Sequence, residues 1–378
     1  MADLGVTVDG LRLPNPFVIG SGPPGTNANV IAKAFDEGWG AVIAKTVSLD
    51  ASKVVNVTPR YARMRASTTK EVLGWQNIEL ISDRPFDTWI EEFKQVKAKY
   101  PERILIASIM EEYNKVAWVE IVERCQQAGV DAFELNFSCP HGLPERKMGA
   151  AMGQDPDILE EVCGWVNAAS SVPVWAKMTP NITHIVDPAR AALRAGCEGI
   201  AAINTILCVM GVDLKTLRPE PTVEGYSTPG GYSCKAVRPI ALRMVMECAR
   251  MMNKEFPDRS ISGIGGVETG EDAAQFILLG ASTVQVCTGV MIHGYKLVHE
   301  LCKGLSAFMD QHGFKSIDSF RGQSLQYFTT HADLVQRQGQ AKAKEQAAHA
   351  AKTEGMVSKD TQWRGDKFVE QSEKLVSN

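Results

Sequence analysis

The chain has 378 residues, of which 44% are hydrophobic, enough to bury a sizeable core in one large domain or two ordinary ones and to exclude disorder as the main state. Lys and Arg number 40 against 44 Asp and Glu, a formal charge of −4, so there is no cationic excess to neutralise a nucleic-acid backbone. No apolar run reaches the roughly 18 residues that cross a bilayer, and MADLGVTVDG lacks the basic and apolar regions of a secretory leader, so neither nucleic acid nor membrane is an expected partner.

Eight apolar, β-branched runs recur along the chain, most followed by a helical stretch that ends in Gly. In order they are NPFVIGSG (15–22), AVIAKTV (41–47), ILIASIM (104–110), AFELNFS (132–138), VPVWAKM (172–178), GIAAINT (199–205), ISGIGGV (261–267) and TVQVCTG (283–289). The amphipathic segments between them include VAWVEIVERCQQAG, HIVDPARAALRAG and EDAAQFILLG, whose Gly129, Gly196 and Gly280 stand where helix C′ glycines belong. Eight βα units in this length favour an α/β fold of the (β/α)8 TIM-barrel type over an open doubly wound sheet. Two inserts break the rhythm: residues 48–100, long enough for extra strands or a hairpin, and residues 206–236, rich in Pro, Gly and Thr. Beyond about residue 315 the pattern stops. The expected organisation is a barrel over 1–315 and a C-terminal extension over 316–378, with the polar stretch 335–355 a partly solvated arm.

The nine cysteines stand singly with no CxxC, and the seven histidines show no pair at ligand spacing, so no disulfide framework and no protein-bound metal are expected. Function in a TIM barrel collects at the C-terminal ends of the strands, where polar residues interrupt apolar runs. Those residues are Lys45 and Thr46, Glu112 and Asn114, Asn136 and Ser138, Lys177 and Thr179, and Asn204 and Thr205. Two Lys and three Asn near one rim, without an equal set of obvious partners, point to a site. The last two strands add Gly263, Gly265, Gly266, Thr288 and Gly289, a place where such barrels present backbone N–H groups to a phosphate. Cys139 differs from the other cysteines because it ends a strand and opens the glycine-bearing loop SCPHGLPERKMGAAMGQD, in which Gly142, Gly149 and Gly153 permit a moving lid. His141 beside it either tunes the thiol or is structural.

Taken together, AKTVSLDASKVVNVTPR, EEYNKVAW, ELNFSCPHG, WAKMTPNIT, AAINT and SGIGGV resemble the FMN-binding, pyrimidine-reducing domain of dihydropyrimidine dehydrogenases, within the dihydroorotate dehydrogenase-like barrels. The resemblance covers about residues 5–310, and SLQYFTTHADLV and WRGDKFVE extend it to single-chain plant-type members. Dihydroorotate dehydrogenases usually carry SCPN or SSPN where this chain has Pro140-His141.

The resemblance implies FMN across the barrel mouth, with Gly265, Gly266, Cys287 and Thr288 on its phosphate and Lys177 near its ring, where a cation stabilises a reduced flavin. It implies reduction of the C5=C6 bond of uracil and thymine, with hydride from flavin N5 to C6 and a proton from Cys139 to C5. A thiol, with an ordinary pKa of about 8.5, is mostly protonated at neutral pH and suits that donation. Lys45 would help hold developing charge at the flavin and pyrimidine edge. Asn114, Asn136, Asn204 and Thr205 form the implied imide-reading set, since one amide both donates and accepts. The runner-up substrate is orotate, whose carboxylate would prefer a cationic group; a third reading is a flavin-free phosphate-binding barrel. With no iron-sulfur motif and no Rossmann glycine fingerprint, NADPH is the expected electron donor, either directly or through a separate reductase subunit. The tail residues Trp363, Phe368 and Val369 suit packing on a second copy in a homodimer. Plant-type members are plastid proteins, and the absence of a transit peptide before residue 1 leaves either a mature plastid form or a cytoplasmic protein.

Overall fold

The structure, a computed structural model, describes residues 2–51, 54–139 and 148–352. Eight parallel strands close into a barrel: β1 (Phe17–Ile19), β2 (Ala41–Ile43), β3 (Ile104–Ile109), β4 (Ala132–Asn136), β5 (Val174–Lys177), β6 (Gly199–Ala202), β7 (Ser260–Ile264) and β8 (Thr283–Val286). Each neighbours the next in chain order, and β8 pairs with β1 through Val284↔Phe17 and Val286↔Ile19. Seven lie within the runs expected to be strands, and β7 begins one residue before its run, at Ser260. The reason is that a strand buried on both faces reads as a continuous apolar stretch, and in β1, β2, β4, β5, β6 and β8 every residue is buried.

The helices between strands start and stop on recognisable signals. Asn27 caps Ala28–Asp36, Asp155 caps Pro156–Ala169, and Thr269 with Asp272 forms a capping box at Gly270–Leu278. Gly129, Gly196 and Gly280 end helices with φ of +89°, +107° and +105°, a backbone that strains any residue with a Cβ. A small hairpin, Val6–Val8 with Leu11–Leu13, turns at Asp9-Gly10 and lies at the N-terminal end of the barrel. There Asp9 Oδ2 accepts from Trp175 Nε1 at 2.6 Å and Ser260 Oγ at 2.5 Å.

The two inserts meet at the other end. Strands Tyr61–Arg65 and Val72–Asn77 of the first join Gly230–Ser233 and Ile206–Cys208 of the second in one four-stranded antiparallel sheet, with Tyr61–Arg65 at its edge. Directly opposed residues share a face, so Tyr61, Asn77 and Gly231 form one row and Arg63, Trp75 and Ser233 the next.

The compact unit runs to Leu325, ten residues past the expected boundary, because Ile317, Phe320 and Leu325 are buried and Phe320 packs 5.6 Å from Phe308 and 5.0 Å from Phe314 between ring centroids. Residues 326–378 are a second unit, in which His331–Lys352 forms a polar helix. Trp363, Phe368 and Val369 lie outside the described residues, as do Pro140, His141 and Gly142.

Candidate active site

The barrel mouth and the antiparallel sheet line one cleft that is partly open to solvent. Lys45 lies two residues past β2, Asn136 and Lys177 end β4 and β5, and Cys139 follows β4 by three residues. Asn204 and Thr205 follow β6, Gly265 and Gly266 follow β7, and Cys287 and Thr288 follow β8. All of these line the cleft. Asn114 does not: it is exposed, and its Oδ1 caps the helix Lys115–Gln127 by accepting from the N–H groups of Val116 and Ala117 at 3.0 and 3.4 Å. Asn77, which the sequence did not single out, brings an amide into the cleft from the antiparallel sheet, beside Tyr61 and Trp75.

Lys177 sits on the floor within a buried polar network. Its Nζ lies 3.1 Å from Glu134 Oε1 and 2.8 Å from Gln285 Oε1. Gln285 Nε2 donates to Glu134 Oε2 at 2.7 Å and to Ser262 Oγ at 3.1 Å. Glu134, Gln285 and Ser262 are each at most 1% exposed. A cation this deep persists only with its charge matched and its hydrogen bonds made, and the network does both while locking the Lys177 side chain. Glu134 and Gln285 are not among the residues expected from the sequence, although each stands between two apolar neighbours in a buried strand.

Lys45 is held from the other side. Its Nζ lies 3.1 Å from Glu79 Oε2, which also accepts from Tyr61 Oη at 2.8 Å. Burial beside the Glu79 carboxylate pushes the Tyr61 phenol well above its ordinary range, so it stays a donor. The first insert therefore supplies the counter-charge for a lysine of the barrel rim.

The turn bearing Cys139 is fixed by its neighbours. Asn136 Oδ1 accepts from the N–H groups of Ser138 and Cys139 at 3.1 and 3.0 Å and from Ser138 Oγ at 2.9 Å, while Asn136 Nδ2 donates to Thr46 Oγ1 at 2.9 Å. Asn204 Nδ2 donates to the Ser138 carbonyl at 2.9 Å. The amide of Asn136 is thus spent largely on holding the Cys139 backbone. Cys139 itself is 7% exposed and packs with Ile81 and Met110.

At the far wall, Gly265 and Gly266 have φ of +148° and +73°. A Cβ on Gly266 would come within 2.7 Å of the Cys234 carbonyl oxygen, and one on Gly265 within 2.5 Å of the Ala241 Cβ. Both glycines are required by this close approach of two segments, which leaves bare backbone facing the ligand space. Thr288 Oγ1 is 2.8 Å from Ser233 Oγ. Burial pushes the Cys287 thiol up to about 11, against the pull of the Lys177 and Lys45 charges.

Residues 3–309 match the family model described as dihydroorotate dehydrogenase. Over its whole length the chain is 67% identical to the chloroplastic dihydropyrimidine dehydrogenase (NADP(+)) of Arabidopsis thaliana, covering 88% of that protein. It is 42% identical over 85% of its length to the NAD-dependent dihydropyrimidine dehydrogenase subunit PreA of Escherichia coli K12, covering 76% of it. Identity is 31%, over 85% of this chain and 99% of the other, to the catalytic subunit of dihydroorotate dehydrogenase B (NAD(+)) of Pyrococcus abyssi. The solved structure of DHODH from Eimeria tenella in complex with ferulenol has the same fold at a TM-score of 0.70 and 21% identity, covering 85% of this chain and 88% of that one. The chain belongs to the dihydroorotate dehydrogenase family, on the branch of the dihydropyrimidine dehydrogenases.

Proposed function

We propose that this protein reduces the C5=C6 bond of uracil and thymine to the 5,6-dihydropyrimidines, the first step of pyrimidine catabolism, using FMN and NADPH. The identity to the Arabidopsis protein supports the activity. The observation that carries the chemistry is the placement of Cys139, pinned by Asn136, in one cleft with Lys45 and Lys177.

The cleft fits FMN on two grounds: it opens at the barrel mouth beside Lys177, and its far wall is glycine backbone. Lys177 would lie at the ring, and Gly265, Gly266 and Thr288 at the phosphate. FMN, when bound, supplies the hydride that C6 receives. Cys139 gives its Sγ proton to C5, so an S–H bond breaks, a C–H bond forms and the thiolate regains its proton from water. Asn77, Asn204 and Thr205 read the alternating N–H and C=O groups of the imide, Asn77 standing where Asn114 was expected. Asn136 acts through Cys139 and not on the ring. Lys45, restrained by Glu79, stabilises charge on the pyrimidine edge.

The test is product analysis with the purified, FMN-loaded protein and NADPH under anaerobic conditions. Uracil and thymine should give dihydrouracil and dihydrothymine, and orotate no dihydroorotate. Turnover of orotate in preference to uracil would overturn the reading. The chloroplastic relative supports a plastid location for this protein too.

A further inference from the structure

Between residues 60 and 70 the chain carries Arg60, Arg63, Arg65 and Lys70 and no acidic residue, although the whole protein is at −4. This basic segment is the outer strand and tip of the hairpin that roofs the cleft. Other cations around the cleft face carboxylates: Lys45 with Glu79, Lys177 with Glu134, Lys235 with Glu71 and Glu268, Arg238 with Asp272. Arg63 has no carboxylate partner among the described residues. Its guanidinium instead lies 4.2 Å over the centre of the Trp75 ring, an arrangement that sets the guanidinium plane and leaves its N–H edge for an anion.

Trp75 supplies the second, independent observation. It is 6% exposed and lines the cleft, yet its Nε1 is the one buried side-chain nitrogen or oxygen among the described residues that makes no hydrogen bond. A buried donor left unpaired is costly, and a ligand oxygen would satisfy it. Ser233, Trp75 and Arg63 oppose one another across three strands and so share a face. Ser233 and Trp75 line the cleft, and Arg63 carries the same row to the edge of the sheet. At about 4.8 Å between strands the row spans roughly 10 Å, leading from the barrel mouth to an unpaired arginine.

We propose that this row binds the phosphorylated end of NADPH, with Trp75 Nε1 donating to a pyrophosphate oxygen and Arg63 taking the 2′-phosphate. The proposal rests on the reading that NADPH reduces the flavin of this protein directly. A dinucleotide whose nicotinamide enters the mouth must run its phosphates outward along the roof. The planar fork of Arg63 suits a phosphate bidentately, and the positive hairpin draws in a polyanion.

The test is the preference for NADPH over NADH, measured on full-length, FMN-loaded wild type, Arg63→Ala and Arg63→Lys with uracil as substrate. A lost 2′-phosphate contact lowers the NADPH/NADH ratio of kcat/KM by about tenfold in Arg63→Ala, with partial recovery in Arg63→Lys. The uracil KM stays within twofold. Trp75→Phe, which keeps the ring but not the N–H, raises the KM for both dinucleotides. A general loss of folding would lower both rates together and leave the ratio where it was. If wild-type flavin is bleached by NADPH but the ratio is the same in Arg63→Ala, the 2′-phosphate lies elsewhere and the proposal falls while direct reduction stands. If wild-type flavin is not bleached by NADPH at all, direct reduction fails and the proposal with it. Slower electron uptake by Arg63→Ala from a reductase protein, in that case, would make the hairpin a protein-docking site instead.

Discussion

Lys45 and Glu79 approach to 3.1 Å with each side chain 9% exposed, one from the end of a barrel strand and the other from the insert that roofs it. The pair ties the first insert to the site's charge. Removing one partner of a buried pair strands the other charge, at a cost of about 3 kcal/mol, whereas removing both is often nearly neutral. Glu79→Gln should therefore lower the melting temperature and slow turnover. The double variant Lys45→Met with Glu79→Gln should regain the melting temperature but not the rate. Recovery of both would show that the Lys45 charge has no part in the reaction.

Cys139→Ser should retain FMN and slow pyrimidine reduction by about 100-fold or more, the range expected for losing a positioned acid. Cys197→Ser is the control. Cys197 is fully buried near Asn167 Nδ2, at 3.5 Å, and lies outside the cleft, so its loss should alter stability but leave turnover per bound flavin nearly unchanged. Equal rates in the two variants would reduce Cys139 to an ordinary buried thiol.

Burial raises the Asp9 carboxyl from an ordinary value of 3.8 to about 6, with the Ser260 and Trp175 hydrogen bonds opposing the shift. Between those values the folded protein holds a proton that the unfolded chain has released, so this group's contribution to stability falls as pH rises through that window. Asp9→Asn keeps an acceptor for Trp175 and Ser260 and removes the charge. Its melting temperature relative to wild type should rise between pH 4 and pH 7 and be flat above that. A difference that stays flat with pH would mean that Asp9 ionises at no cost to the fold, as an exposed carboxylate does.

The barrel was legible because its information is local. A strand buried on both faces is a continuous apolar run, and a helix stop is a glycine whose positive φ the turn requires, as at Gly129, Gly196 and Gly280. What was not legible depends on pairings far apart in sequence. Gly231 opposes Asn77, and Ser233 opposes Trp75, across more than 150 residues, and no local pattern announces that the two inserts make one sheet. Asn77, Trp75 and Glu79 were missed for that reason. Asn114 misled because an Asn just after a barrel strand is also an Asn just before a helix, and the N-cap claimed its side chain. The hairpin at Asp9-Gly10 carries a legible turn signal, an Asp-Gly pair between two short apolar-alternating runs.

Pyrimidine readers and the glycine wall line the same space, and the antiparallel sheet covers part of its mouth. A nicotinamide that reduces the flavin directly and a pyrimidine that reoxidises it would then occupy the same face in turn. Steady-state rates should give parallel double-reciprocal lines for NADPH and uracil, with each inhibiting at high concentration by competing for the other's form of the enzyme. Anaerobic mixing with NADPH alone should bleach the flavin within one turnover time, and later addition of uracil should restore its absorbance. Intersecting lines would require both ligands to be bound together, which needs separate sites for nicotinamide and pyrimidine. A flavin that dithionite reduces readily but NADPH leaves oxidised would assign the electrons to a second protein docking over the roof.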